Sequence, residues 1–269
     1  MNSENVLLVV SFGTTSAESR RLNIGSVEQA IQETAGKSWN VRRCFTSQTI
    51  INIISRKEQI KIDNISEALE KAASDGARNL VVQPTHLMKG LEYDKLCGML
   101  SEYGDSFEKV AAGDPLLTSD EDFLRVADAL IEASARSEDG ETAFVFMGHG
   151  TEAAANGIYS KMQNVFSNKG MCDYFVGTVE AEPSLNDVIK AVGERNYKRV
   201  VIRPLMLVAG NHAINDMASR DDPGSWYSRF RAEGYETVCI IEGLGQLEAV
   251  RNIYADHADR AIASLTGLL

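Results

Sequence analysis

Histidine is the side chain best suited to hold a first-row metal ion or to move a proton near neutral pH. This 269-residue chain has four: His86, His149, His212 and His257. The first three fall at or just beyond the ends of apolar runs that read as strands. His257 instead lies inside an amphipathic helical pattern, residues 247–264, and is expected on its solvated side.

His149 sits between Gly148 and Gly150, directly after the apolar run that ends at Met147, so backbone can approach a ligand closely while the imidazole projects outward. A capped structural histidine is the competing reading. Glu180 follows another short run and precedes Pro183, which suits the first position of the next helix. Its competing role is helix-start electrostatics, shared with Glu182. His212 follows Gly210-Asn211 and opens a short helical segment, where Asn211 could cap and the histidine be incidental. Taken together, two neutral imidazoles and a carboxylate suit a first-row divalent ion. Three protein ligands also leave coordination positions open, as a reactive site requires. No H-E-x-x-H spacing occurs, so the grouping rests on topology.

Ser11-Phe12-Gly13-Thr14-Thr15 could set hydroxyls and helix-start N–H groups against a carboxylate or phosphate. It has neither G-x-G-x-x-G nor a P-loop lysine, which weakens a nucleotide reading. Asp221-Asp222-Pro223-Gly224-Ser225-Trp226 reads as a helix cap with proline at the first helical position rather than a metal loop. Cys44, Cys97, Cys172 and Cys239 show no C-x-x-C spacing and are expected to be mostly core thiols in a reducing compartment.

Short apolar runs at residues 6–11, 39–45, 79–83, 142–147, 174–178, 199–205 and 237–241 read as buried parallel strands. Amphipathic segments such as 65–73, 121–135, 185–195 and 247–264 alternate with them. That alternation predicts a doubly wound α/β architecture. The two halves also echo each other. Leu7 to Thr14 resembles Ala143 to Thr151, and Pro84, Gly90 and Glu92 are matched by Pro204, Gly210 and His212, each 120 positions on. Two similar α/β domains with parallel sheets are therefore expected, 1–115 and 116–269, joined near Gly113 to Ser119. Ligands of open parallel sheets lie beyond the carboxyl ends of the strands, so a cleft between such halves is the natural site. Phe12 and Glu92 occupy the first-half positions of His149 and His212, which assigns metal chemistry to the second half and grip of the ligand to the first.

A formal charge of −11 argues against sequence-independent binding of nucleic acid, which needs clustered Lys and Arg, and against docking on an anionic membrane. The apolar run after the polar N-terminus is too short for a secretory or membrane segment, so a cytoplasmic protein is expected.

The motifs Ser11-Phe12-Gly13-Thr14-Thr15, Gly90-Leu91-Glu92-Tyr93-Asp94-Lys95-Leu96, Met147-Gly148-His149-Gly150-Thr151, Gly177-Thr178-Val179-Glu180 and Gly210-Asn211-His212-Ala213-Ile214-Asn215-Asp216-Met217-Ala218 occur in order along nearly the whole chain. With them the chain resembles the anaerobic sirohydrochlorin cobaltochelatases of early-insertion cobalamin synthesis. The resemblance implies the class II chelatase fold, shared with ferrochelatase. It implies insertion of Co2+ into sirohydrochlorin or its reduced precursor precorrin-2, with His149, Glu180 and His212 in metal binding and catalysis. No cofactor beyond the metal substrate is expected; Fe2+ and Ni2+ are further candidate ions.

Insertion exchanges two pyrrole protons for one dication, so the site needs proton acceptors beside the ring. His149 and His212 are expected to hold or relay the metal, and Glu180 to balance charge and accept a proton. Ser11, Thr14, Thr15, Thr46, Ser47 and Lys89 are candidates for contacts to the peripheral carboxylates of the tetrapyrrole. Iron insertion for siroheme and a non-enzymatic metal or tetrapyrrole-binding protein are the alternatives. Oligomeric state, and with it a homo-oligomer, stays open.

Overall fold

Valine- and leucine-rich runs with no polar face can only be satisfied at the centre of a sheet covered on both sides, and Val6 to Val10 are all fully buried. In the computed structural model, which describes residues 4–134 and 140–266, this run forms β1 (Asn5–Ser11). The chain divides into two compact units, Met1–Thr118 with Val250–Leu269, and Ser119–Ala249.

In the first unit β1 leads through α1 (Ala17–Ser19), a π-helical stretch (Arg20–Gly25) and α2 (Ser26–Ala35) to β2 (Asn40–Phe45). Then come α3 (Gln48–Glu58), β3 (Asp63–Asn64), α4 (Ile65–Ser74), β4 (Asn79–Pro84), α5 (Leu91–Tyr103) and β5 (Lys109–Ala112). The sheet has the order β3-β2-β1-β4-β5, and every pairing is parallel. Helix starts are chemically marked. Asn64 caps α4 in a reciprocal box, accepting from the Glu67 N–H while the Glu67 carboxylate accepts from the Asn64 N–H.

The second unit runs α6 (Asp120–Ser134), β6 (Thr142–Gly148), α7 (Gly157–Asn168), β7 (Tyr174–Thr178), α8 (Leu185–Gly193) and β8 (Arg199–Pro204). A π-helical turn (Ala213–Met217), α9 (Trp226–Ala232) and β9 (Glu236–Cys239) complete it. Its sheet is also parallel, in the order β7-β6-β8-β9. Ala143, Val145 and Met147 of β6 pack with Val188, Val192, Trp226 and Phe230, while the alternate residues Phe144 and Phe146 pack against Tyr174 and Phe166. Replacing a buried Phe such as Phe144 by Ala would cost about 3–5 kcal/mol.

The internal echo extends to individual hydrogen bonds. Thr46 N–H donates to the Ser11 carbonyl at 2.9 Å and Ser47 N–H to Phe12 at 3.3 Å; Val179 N–H donates to Gly148 at 3.0 Å and Glu180 N–H to His149 at 2.9 Å. Likewise Thr85 N–H to Val10 (2.8 Å) is repeated by Leu205 N–H to Met147 (2.7 Å). Gly13 and Gly150 share a left-handed backbone, φ +100° and +88°. Ser47 is thereby the first-unit counterpart of Glu180, which the chain order alone does not reveal.

The structure departs from the sequence expectations in several places. Helix α10 (Glu248–Thr266) clusters from Val250 onward with the first unit, not with 116–249 as assumed for a domain of 116–269. His257 is accordingly buried, 1% exposed, with Nδ1 2.9 Å from the Asp114 carbonyl oxygen, rather than solvated. Nearby, the Tyr254 hydroxyl donates to the Thr85 carbonyl at 2.9 Å. Of the cysteines only Cys44 is buried, and Cys172 is exposed. The expected helix 121–135 is present as far as it is described, to Ser134, and Ala135 lies outside the described residues. Among the described residues no helix is long and apolar enough to cross a membrane.

Candidate metal centre

The turn after β6 is built around two glycines that no other residue could replace without rearrangement. A Cβ on Gly148 would lie 2.0 Å from the Tyr159 ring, and one on Gly150 2.8 Å from the Ala181 nitrogen and 2.9 Å from Thr178 Cβ. Tyr159 is buried and its hydroxyl accepts from the Gly150 N–H at 3.2 Å. Burial raises the pKa of this phenol, while the backbone donors of Gly150 and His149 act in the opposite direction. Its neutral ring forms the floor on which the turn rests, a role with no local signal in the sequence.

Held this way, His149 leaves 45% of its side chain exposed, and its Nδ1 lies 3.0 Å from the Gly150 carbonyl oxygen. A carbonyl only accepts, so this contact selects the Nδ1–H tautomer and leaves Nε2 as the free lone pair.

Glu180 is placed by the continuation of β7 pairing beyond Thr178, through the Val179 and Glu180 N–H bonds to Gly148 and His149. The loop then closes: the Thr178 N–H donates to the Pro183 carbonyl at 2.7 Å, and Asn156 Nδ2 donates to the Glu182 carbonyl at 2.6 Å. Pro183 is not the first helical residue expected. Ser184 caps α8 and shares a capping box with Asp187, whose pKa is lowered by the Ser184 hydroxyl and backbone donors. Glu180 therefore lies outside the first turn of α8 and is not a helix-start charge. One Glu180 carboxylate oxygen stands 3.6 Å from His149 Nδ1, beyond a hydrogen bond.

His212 enters from the segment after β8. Leu205 is tied to Met147, and Leu244 and Gly245 donate to the Met206 and Leu207 carbonyls at 2.9 and 3.0 Å. His212, not Asn211, is the residue at the cap position of the π-helical turn, and its side chain makes no cap bond there; Ile214 N–H donates to Gly210 at 3.1 Å. The His212 Nδ1 lies 2.6 Å from an Asp216 carboxylate oxygen. The rings of His149 and His212 meet edge to face, centroids 4.6 Å apart at 86°. One ligand atom each from His149, Glu180 and His212 lies within 4.8 Å of the others. The structure thus brings together the three residues grouped from the sequence. Such a spacing lets a single ion reach all three with small side-chain rotations, at bond lengths near 2.0–2.2 Å as for N and O ligands generally.

His86, the third strand-end histidine, takes no part in that cluster. Both its ring nitrogens are shielded from solvent and have no hydrogen-bond partner among the described residues. Desolvation lowers its pKa, with nearby Glu92 acting against the shift.

The residues anticipated as tetrapyrrole contacts are less uniform. Ser11 is fully buried and its hydroxyl accepts from Thr85 at 2.8 Å; Thr14 is also buried, its hydroxyl accepting from the Ser16 N–H at 3.2 Å. The Thr46 hydroxyl is buried, and the Ser47 hydroxyl caps α3. Thr15 is partly exposed, and the Lys89 ammonium pairs with Asp114 at 2.8 Å. The loop Asp222-Pro223-Gly224 is a turn in which Asp222 accepts from the Gly224 N–H at 2.8 Å, and Ser225, not the residue before Pro223, caps α9.

Residues 5–263 match the family described as cobalt chelatase (CbiK). The sirohydrochlorin cobaltochelatase of Salmonella typhimurium is 33% identical over 259 residues, 96% of this chain and 97% of that protein. A second relative, sirohydrochlorin cobaltochelatase CbiKC of Nitratidesulfovibrio vulgaris, is 30% identical over 84% of this chain and 79% of its own length. Among solved structures, SirB from Bacillus subtilis with Fe3+ superposes with a TM-score of 0.64 at 13% identity, covering 98% of each chain, a likeness of fold.

Proposed function

We propose that this chain, which belongs to the cobalt chelatase family, inserts Co2+ into sirohydrochlorin in cobalamin biosynthesis, with His149, Glu180 and His212 holding the ion before transfer. The observation that carries the assignment of the site is the approach of the three ligand atoms to within 4.8 Å of one another.

The metal is a substrate, so the site must bind it and then let it go. Two imidazoles and one carboxylate satisfy a first-row dication without completing its shell. Side chains that are 45% and 54% exposed at His149 and Glu180 leave an open face for the incoming pyrrole nitrogens. As cobalt–nitrogen bonds form, two pyrrole N–H bonds break and two protons leave, so the product carries no added charge. An imidazole Nε2 released by the departing ion becomes an acceptor for one proton, and the Glu180 carboxylate for the other. Among the first-unit residues considered for the substrate's carboxylates, Ser11, Thr14 and the Thr46 hydroxyl are buried, whereas Thr15, Ser47 and Lys89 are at least partly exposed. Iron and nickel are alternative ions that this donor set accepts.

The test is direct. Incubated with sirohydrochlorin and Co2+, Fe2+ or Ni2+ in turn, the protein should change the tetrapyrrole absorbance fastest with Co2+. A rate no greater than the protein-free control with every ion sinks the proposal.

A further inference from the structure

We propose that Asp216 is a positioning residue that locks His212 in the tautomer competent to bind the metal substrate. The inference rests on the reading of His212 as a metal-holding residue, and it concerns a side chain that does not itself join the His149, Glu180 and His212 cluster.

The contact is short, 2.6 Å from His212 Nδ1 to Asp216 Oδ2, and spans one turn of the π-helical segment (i, i+4). An ionised carboxylate has no proton to give, so Nδ1 must carry the hydrogen and Nε2 keeps its lone pair. His149 reaches the same state differently, through the Gly150 carbonyl at 3.0 Å. Both imidazoles therefore present Nε2, but only one is set by a side chain that a substitution can remove. Carboxylates that accept from a ligating histidine fix ring orientation and raise ligand basicity.

The internal duplication supplies a control within the same molecule. At the offset of 120 positions His212 corresponds to Glu92, and Asp216 corresponds to Leu96. Leu96 is fully buried, and Glu92 pairs instead with Lys95 at 3.0 Å. A carboxylate has no tautomer to choose, and where Glu replaces the histidine the second carboxylate is absent as well. Asp216 is 41% exposed, so core packing does not account for it. It also borders a cavity of about 300 Å³ shared with Val179, Asp222 and Arg229, which gives a longer side chain room.

Nitrogen-15 NMR of the metal-free protein near pH 8, with His212 assigned by its loss in His212→Ala, reads the tautomer without any turnover. The wild type should show His212 protonated at Nδ1. Asp216→Asn can turn its amide NH2 toward the ring and should shift the population toward Nε2–H. Its affinity for Co2+, titrated without tetrapyrrole, should fall about 10–100-fold. Asp216→Glu should restore most of that affinity, and KM for sirohydrochlorin should stay near the wild-type value in both variants. An Nε2–H tautomer in the wild type, or Co2+ binding by Asp216→Asn within twofold of the wild type, overturns the inference. Failure of the wild type to bind Co2+ would instead count against the metal-holding role of His212, while the wild-type tautomer would still decide the role of Asp216.

Discussion

His212 meets His149 edge to face at a centroid distance of 4.6 Å, and the Nδ1 atoms of both rings are engaged by oxygen acceptors on their own elements. Two imidazoles so close, each held at Nδ1, have the arrangement that the proposed ion-holding role needs. His149→Ala and His212→Ala should each lower the insertion rate by at least about 100-fold. Because these side chains are 45% and 39% exposed, the melting temperature should move by only a few degrees. Rates from absorbance and a circular dichroism melt check both statements; near-normal turnover by either variant would remove that residue from the mechanism.

Glu180 contributes charge, and its backbone N–H to His149 is independent of its side chain. Glu180→Gln keeps an oxygen ligand but loses the anion. With the side chain 54% exposed, solvent screens the effect, and weakening of Co2+ binding by about tenfold is expected. Calorimetric titration of the metal alone measures it, and an unchanged affinity would make Glu180 a bystander in ion binding.

Gly150 combines a φ of +88° with a Cβ position already occupied by Ala181 and Thr178. Gly150→Ala should cost about 1–3 kcal/mol and distort the turn that carries His149. Denaturant unfolding together with the insertion rate tests this, and the loss of activity should exceed what the lost folded fraction explains.

His86 gives a pH prediction whose sign follows from its burial. Its folded pKa is depressed by desolvation, so between the folded value and about 6.5 the unfolded chain binds the proton and the folded chain does not. The contribution of His86 to stability is thus fully present above about pH 6.5 and is lost as pH falls below it. Its counterpart at the 120-residue offset is Met206. His86→Met should flatten this part of the stability profile, as followed by urea unfolding at several pH values; an unaltered slope would mean that the imidazole is solvated.

The trio was legible in the sequence because strand ends in a parallel sheet are marked by apolar runs that stop abruptly, and His149, Glu180 and His212 each follow such a stop. Strands β1, β2, β4 and β6 to β9 were readable for the same reason. β3 is two polar residues long, Asp63 and Asn64, and β5 is an edge strand whose ends are exposed, so neither carries a hydrophobic signature. Asp216 was invisible as a partner because an acid four residues after a histidine is ordinary on any helix. The amphipathic pattern of α10 states that one face is covered but not by which unit, and the misplacement of His257 followed from that ambiguity.

The return of α10 to the first unit has a consequence for the order in which the protein is made. Ser119–Ala249 is continuous and can complete its fold as soon as it has emerged from the ribosome, whereas the unit begun first lacks Tyr254 and His257 until the chain has grown past Ala249. A stop just after Ala249 would therefore injure the half that was synthesised earliest, and spare the contiguous stretch that carries His149, Glu180 and His212.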